Sequence, residues 1–247
     1  MADAGEVDSH DIVLEAGPGK GILTESLLAC ARQVIAMEKD PRLILFLSFK
    51  FKKEIASGKL KLIEGDIREF DPASQDLKLN GYKVIANIPY YLTGHFLRYF
   101  LSHETHPSRM VLMLQKEVVQ RILAADGKES ILSIAVKAYG TPRRIETVPA
   151  KLFTPRPNVD SAVLCVENIS KKFFNEVGEG YFFQVLKTGF AHKRKQLIGN
   201  LSSITARTQL EEIFKHLEIP LDARAENLSV FKWKALARAL VAQAPKS

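Results

Sequence analysis

DIVLEAGPGKG, residues 11–21, decides the fold. An apolar run of strand length ends in an acid, and three glycines follow at alternate positions, Gly17, Gly19 and Gly21. Glycine accepts positive φ and lets a ligand come close to the backbone. A segment of helical period, 22–31, starts where the glycines stop, so its free N–H groups face the loop. Strand, glycine turn and helix make the first half of a βαβ unit, and the pattern repeats. Residues 31–40, 59–66, 81–87 and 108–115 read as strands, and 41–56, 93–101 and 116–125 as helices. This alternation predicts an α/β fold with a parallel sheet. SILSIAVKAYG (130–140) and VDSAVLCVEN (159–168) read as further strands closing one edge, with antiparallel pairing open to them, and TPRRIETVP between them reads as a loop. Beyond about residue 170 three stretches of helical period follow one another with no strand between. The expected organisation is a sheet domain over 1–170 and a small all-helical domain over 171–247.

Composition narrows the function classes. No apolar run approaches the roughly 18 residues of a membrane span, so no transmembrane helix is expected. The acidic, polar start MADAGEVDSHD lacks the pattern of a signal peptide. Cys30 and Cys165 stand far apart in apolar segments, with neither disulfide nor metal spacing, which predicts a reducing, cytoplasmic setting and no metal. Of the net charge of +7, residues 171–247 carry +6, from thirteen basic and seven acidic side chains. A basic third on a near-neutral body suits a polyanionic partner, though a solvated Lys-rich surface reads the same way. A monomer is the default.

Each strand end presents polar groups at one edge of the sheet, where open α/β sheets bind ligands. The glycine loop can cradle a ligand or serve as a structural turn. Its spacing is not that of a dinucleotide fingerprint, and Pro18 removes one N–H. Glu38, about 20 residues on, can accept both hydroxyls of a ribose or can face solvent. Asp66 and Ile67 can accept from an exocyclic amine and pack one ring face, or can cap a helix. NIPY (87–90) ends a strand with an amide, backbone carbonyls held by a proline, and an aromatic ring; alone, it also reads as a β-turn. An amine acceptor beside a stacking ring suits chemistry on a base taken out of its stack.

These motifs, taken in order, resemble the S-adenosylmethionine-dependent rRNA adenine N6,N6-dimethyltransferases of the KsgA type. EAGPGKG, MEKD, GD and NIPY carry the resemblance, with LQKEV (114–118), FTPRPNVDSAV (153–163), FAHKRKQLIGNL (190–201) and RAENLS (224–229). It implies a Rossmann-like S-adenosylmethionine methyltransferase sheet with a small C-terminal all-helical domain, S-adenosylmethionine as cofactor, and small-subunit rRNA as partner. By the resemblance, Glu15, Gly17, Pro18, Gly19 and Gly21 line the methionine and ribose side of the cofactor. Glu38 binds the ribose with Lys39 alongside, and Asp66 and Ile67 hold the cofactor's adenine. Asn87 and the carbonyls of Ile88 and Pro89 orient the target nitrogen, while Tyr90 and Phe153 sandwich the target base. The family's G-Q-H-F-L motif ahead of the first strand has no counterpart in residues 1–10, so the expected cofactor pocket is open on one side and holds the cofactor less tightly. The competing readings are a non-catalytic ribosome-assembly factor on the same fold and a large-subunit methylase of the erythromycin-resistance type. Candidate RNA-binding residues are His192, Lys193, Arg194, Lys195, Arg207, Lys232 and Lys234, with Arg143 and Arg144 in addition; solvated helix surface is the plain alternative. Trp233 reads as core.

Overall fold

The computed structural model describes residues 1–154 and 156–243, apart from the side chains of Tyr90 and Gln243. Its sheet grows from short apolar runs that glycines and caps cut to length. β1 (Ile12–Ala16) is buried along its last four residues and stops at Gly17, where φ turns to +67°. α1 (Ile22–Cys30) follows Gly21, and β2 (Gln33–Glu38) follows α1. Asp40 opens α2 (Pro41–Lys50) by accepting from the Arg42 N–H, with Pro41 at the first helical position. Phe51 interrupts the helix before α3 (Lys52–Ala56), so the single helix expected over 41–56 is two. β3 (Leu60–Glu64), β4 (Lys83–Asn87), α4 (Thr93–Ser102), β5 (Arg109–Gln115) and α5 (Lys116–Leu123) complete the alternation.

Residues 130–140 depart from the strand expected there. They form α6 (Ile131–Tyr139), and the strand is β6 (Thr141–Val148), in the stretch expected to be a loop. Ser130 and Ser133 explain the helix: the Ser133 N–H donates to Ser130 Oγ (3.1 Å) and the Ser130 N–H to Ser133 Oγ (2.6 Å). That reciprocal pair acts as a capping box. β6 lies at the edge of the sheet, where Pro142 and the charges of Arg143, Arg144 and Glu146 are tolerated and blunt edge-to-edge pairing. β7 (Ser161–Glu167) runs antiparallel to β5 on one side and β6 on the other. The order is β3-β2-β1-β4-β5-β7-β6, with β1 to β5 parallel.

The chain divides into two compact units. The first, Met1–Val119 with Gly140–Ser170, holds the whole sheet. Its first ten residues are not a solvated tail: Arg109 pairs with Glu6 (2.7 Å), Lys83 donates to the Glu6 carbonyl (2.6 Å), and Met1, Ala2, Ala4 and Val7 pack on the core. The second unit, Gln120–Tyr139 with Lys171–Ser247, is helical and includes α6, which precedes residue 170 in the chain. It adds α7 (Glu179–Gly189), α8 (Leu197–Leu201), α9 (Arg207–His216) and α10 (Val230–Gln243). Trp233 is fully buried there, stacked on Phe190 at 5.5 Å, with Leu236 and Leu240 beside it in the core. Among the described residues no helix is long and apolar enough to cross a membrane.

Candidate active site

β1 and β4 are neighbours, yet the chain leaves them in opposite directions, toward β2 and toward β5. Such a switch point opens a crevice at the carboxyl ends of the strands. An open cleft lies there, lined by Ala16 and Gly17 at the end of β1, Met37 to Lys39 at β2, Gly65 to Ile67 after β3, and Ile88, Pro89, Tyr91 and Leu92 after β4. Four strand ends thus meet in one place, as the sequence implies.

The glycine loop is held from both sides. The Gly17 N–H donates to the Met37 carbonyl (2.9 Å), and the Gly21 N–H to the Pro18 carbonyl (2.8 Å). Gly17 and Gly19 have φ of +67° and +58°, and a Cβ at either would meet only open space. Their conformation demands glycine, and the space above them can take a ligand. Gly21 differs. Its φ is +77°, but a Cβ there would stand 2.6 Å from Phe51 and 2.9 Å from Leu47. Gly21 is buried and is required by packing, and it does not line the cleft.

Glu38 turns back over this loop. Its Oε1 accepts from the Lys39 N–H (2.8 Å) and Asp40 N–H (3.0 Å), and its Oε2 from the Gly19 N–H (3.2 Å). Three backbone donors fix the carboxylate and leave Oε2 room for a further donor. Glu15 is 1 % exposed, and its Oε2 has no hydrogen-bond partner; nor has the Thr24 hydroxyl of α1. Burial pushes the Glu15 carboxyl up to about 7, the Thr24 dipoles offset part of the rise, and the Glu38 charge adds to it. Glu15 thus offers one buried acceptor oxygen without a partner beneath the glycine loop, although it does not itself line the cleft.

Asp66 closes the β3 side. Arg68 grips it with a fork, Nε to Oδ1 at 3.0 Å and Nη2 to Oδ2 at 2.5 Å, while the Arg68 N–H donates to Oδ1 and Lys39 Nζ reaches Oδ2 at 2.9 Å. The Arg68 fork above all, then its N–H and Lys39, hold the Asp66 carboxyl well below the usual range. Asp66 is thus both a cap for the turn Ile67–Glu69 and a cleft residue. Lys39 pairs with Asp66 across the cleft.

Asn87 ends β4, exposed, and its side-chain amide makes no hydrogen bond among the described residues. Ile88 is 2 % exposed and anchors the loop from below, while Pro89 is exposed. The Tyr90 side chain lies outside the described residues. Phe153 is half-buried beyond the turn Ala150–Leu152 and does not line the cleft. Sequence reasoning misses Met37, Tyr91, Leu92 and Thr24. The Met37 methyl fills the volume a Cβ at Gly65 would need, so only that glycine's closeness to the strand end points to it.

The basic candidates separate. His192, Lys193, Arg194 and Lys195 form an exposed turn between α7 and α8. Buried Asn200 holds it, donating from Nδ2 to the carbonyls of Gly189 (2.6 Å) and His192 (3.2 Å). Arg207 pairs with Glu211, Lys232 donates to the Leu217 carbonyl at the end of α9, and Lys234 pairs with Glu176 over the Phe173 ring. Those three serve the helical unit itself. Arg143 pairs with Glu167 in the edge strand, and Arg144 is exposed beside it.

A parallel sheet with an antiparallel β7, a glycine loop after β1 and a ligand cleft at the switch point define an S-adenosylmethionine-dependent methyltransferase fold. Residues 1–241 match the family described as "Ribosomal RNA adenine dimethylase", and the chain belongs to that family. It is 37 % identical over 235 residues to the ribosomal RNA small subunit methyltransferase A of Dehalococcoides mccartyi, covering 94 % of this chain and 80 % of that protein. Among solved structures it superposes on a dimethyladenosine transferase from Plasmodium falciparum with a TM-score of 0.80 and 26 % identity, over 95 % of this chain and 91 % of that one. The 23S rRNA methyltransferase ErmE shares the fold at a TM-score of 0.79 and 23 % identity, over 97 % of this chain and 95 % of that one.

Proposed function

We propose that this chain transfers two methyl groups from S-adenosylmethionine to the N6 nitrogen of an adenine in small-subunit ribosomal RNA. One observation carries the reading: in a chain of this family, Gly17, Glu38, Asp66 and the Ile88 and Pro89 loop line a single cleft at the switch point, and Asn87, immediately ahead of that loop, is exposed at the end of β4. S-adenosylmethionine supplies a methyl group on a sulfonium, whose leaving group is a neutral thioether. The chain's part is to hold and to orient. Glu15, Gly17, Pro18 and Gly19 serve the amino-acid end, Glu38 the ribose, and Asp66 and Ile67 the cofactor's adenine. The Asn87 oxygen and the carbonyls of Ile88 and Pro89 accept from the target amine. Those bonds turn its lone pair away from the ring and stabilise the positive charge that grows on nitrogen. Tyr90 stacks on the target base, and Phe153 covers its other face. The turn His192–Lys195 contacts phosphates, and the helical unit is the RNA-binding part. The setting is the cytoplasm, on a small-subunit particle.

The experiment is transfer of labelled methyl to small-subunit particles that lack the modification, followed by nucleoside analysis. Dimethyladenosine in small-subunit RNA is the expected product. Label in large-subunit RNA instead would identify a resistance-type methylase, and no transfer to either would leave a binding factor.

A further inference from the structure

The exposed face that runs from Tyr91, in the 3-10 turn Tyr90–Leu92, onto α4 has no place in the reaction described so far. Tyr91, Gly94, His95 and Arg98 follow one another at i, i+3, i+4 and i+7, all exposed, so they form one stripe. Tyr91 is 83 % exposed, an unusual cost for a large ring unless a partner covers it. A Cβ at Gly94 would meet nothing within 4 Å, so open space lies beside the backbone between the two rings. The imidazole is braced from beneath: the Tyr99 ring lies nearly parallel to it, at 6° and 6.2 Å between centroids. Tyr99 is itself fixed by its hydroxyl donating to the Phe70 carbonyl (2.5 Å) and by edge contact with Phe100 (5.2 Å, 87°).

Charge decides what covers the stripe. The sequence holds no carboxylate between Asp76 and Glu104. Arg98 has neither an ion pair nor a side-chain hydrogen bond among the described residues. Arg68 shares an apolar notch with His95 and Tyr99 and stays half exposed while it grips Asp66. At the far end of the helix His103 stands 3.6 Å from Asp71, so the part of the helix next to the cleft carries no acid of its own, and the Asp66 carboxylate beside it is already held by Arg68 and Lys39. Stacking rings interleaved with guanidinium groups suit bases and phosphates of a single strand. The stripe is continuous with the candidate active site through Tyr91, which lines both.

We infer that Tyr91 and His95, flanked by Arg98 and Arg68, form a stacking surface for the unpaired RNA nucleotide next to the target adenine. The inference rests on the dimethyltransferase reading, and it adds a binding site beyond the reacting base. A nucleotide held there keeps the strand unstacked while the neighbouring adenine sits in the cleft.

The test measures binding of a single-stranded RNA with a photoreactive 5-bromouridine beside the target adenine. Cross-links to Tyr91 or His95 are expected, together with a fall in RNA affinity of about tenfold to a hundredfold for the Tyr91→Ala/His95→Ala pair. Tyr91→Phe/His95→Phe should restore most of it, because a ring face is what the base needs. His95→Ala alone should leave cofactor affinity at the wild-type level, since His95 does not line the cleft. Wild-type RNA affinity in the alanine pair, or a phenylalanine pair as weak as the alanine pair, overturns the stacking surface. Binding is read without turnover, so a wild-type protein that binds RNA in this ring-dependent way but transfers no methyl refutes the reaction and keeps the surface.

Discussion

Asn87 and Glu15 answer different questions at the residue scale. The Asn87 amide ends a strand and makes no hydrogen bond among the described residues, so its removal should cost chemistry rather than folding. Asn87→Ala is expected to lower the rate of methyl transfer about 10²–10³-fold, the usual loss for one preorganised group at a site of developing charge. Cofactor affinity, measured by titration calorimetry, should barely change; equal losses in both would remove Asn87 from the role of amine acceptor. Glu15 should show itself through pH. Its carboxyl is raised from 4.5 to about 7 in the folded chain. Below about 4.5 both folded and unfolded states hold the proton, and no penalty arises. Between about 4.5 and 7 the unfolded chain has lost it while the folded chain keeps it, so stability falls as pH rises, reaching its full cost above about 7. At 1.36 kcal/mol per unit the full cost is on the order of 3–4 kcal/mol. Ligand-free protein should therefore melt at a lower temperature at pH 8 than at pH 5.5, and Glu15→Gln should flatten that slope while weakening cofactor binding. An unchanged slope in the variant would show that Glu15 does not carry it.

The same glycine-rich element holds two kinds of glycine. Gly19→Ala meets open space and should cost about 1 kcal/mol through its left-handed backbone, with a larger loss in cofactor affinity. Gly21→Ala meets Phe51 and Leu47 as well and should cost about 2–4 kcal/mol in denaturant unfolding. Equal stability in the two variants would contradict the packing role of Gly21. The sequence makes both glycines visible but not their difference, because the wall behind Gly21 comes from α2 and its end, about thirty residues away. The same limit runs through the fold. Strands β1 to β5 and β7 are legible because each is a short apolar run closed by a turn or a charge. α6 is not, because 131–139 is a short, nearly unbroken apolar run that a buried strand would also show; the Ser130–Ser133 cap is the local signal for the helix. β6 is hidden by its place at the sheet edge, where burial does not impose alternation. In the site, Glu38 and Asn87 are legible because they end strands. The pairing of Lys39 with Asp66 depends on how β2 lies beside β3, which no local pattern states.

At the scale of the whole molecule, the excess charge lies almost entirely in residues 171–247. Net charge does not identify which cations face an RNA, but pairing separates them. Arg207, Lys232 and Lys234 are engaged within the helical unit, whereas the turn His192–Lys195 is exposed and its backbone is clamped by Asn200. A polyanion releases roughly one counterion for each phosphate neutralised, so the slope of log affinity against log salt counts the cations that make contact. Replacing Lys193, Arg194 and Lys195 together by glutamine should weaken RNA binding and reduce that slope by about 2–3. Arg207→Gln should leave the slope alone, because Arg207 is already spent on Glu211. Asn200→Ala should lie between: it keeps every charge but frees the turn, so affinity falls with little change of slope, and stability drops by about 1–3 kcal/mol for the lost buried hydrogen bonds. Filter binding across a salt series separates the three variants. A slope that falls for Arg207→Gln and stays constant for the triple replacement would place the phosphate contacts on α9 instead of the turn.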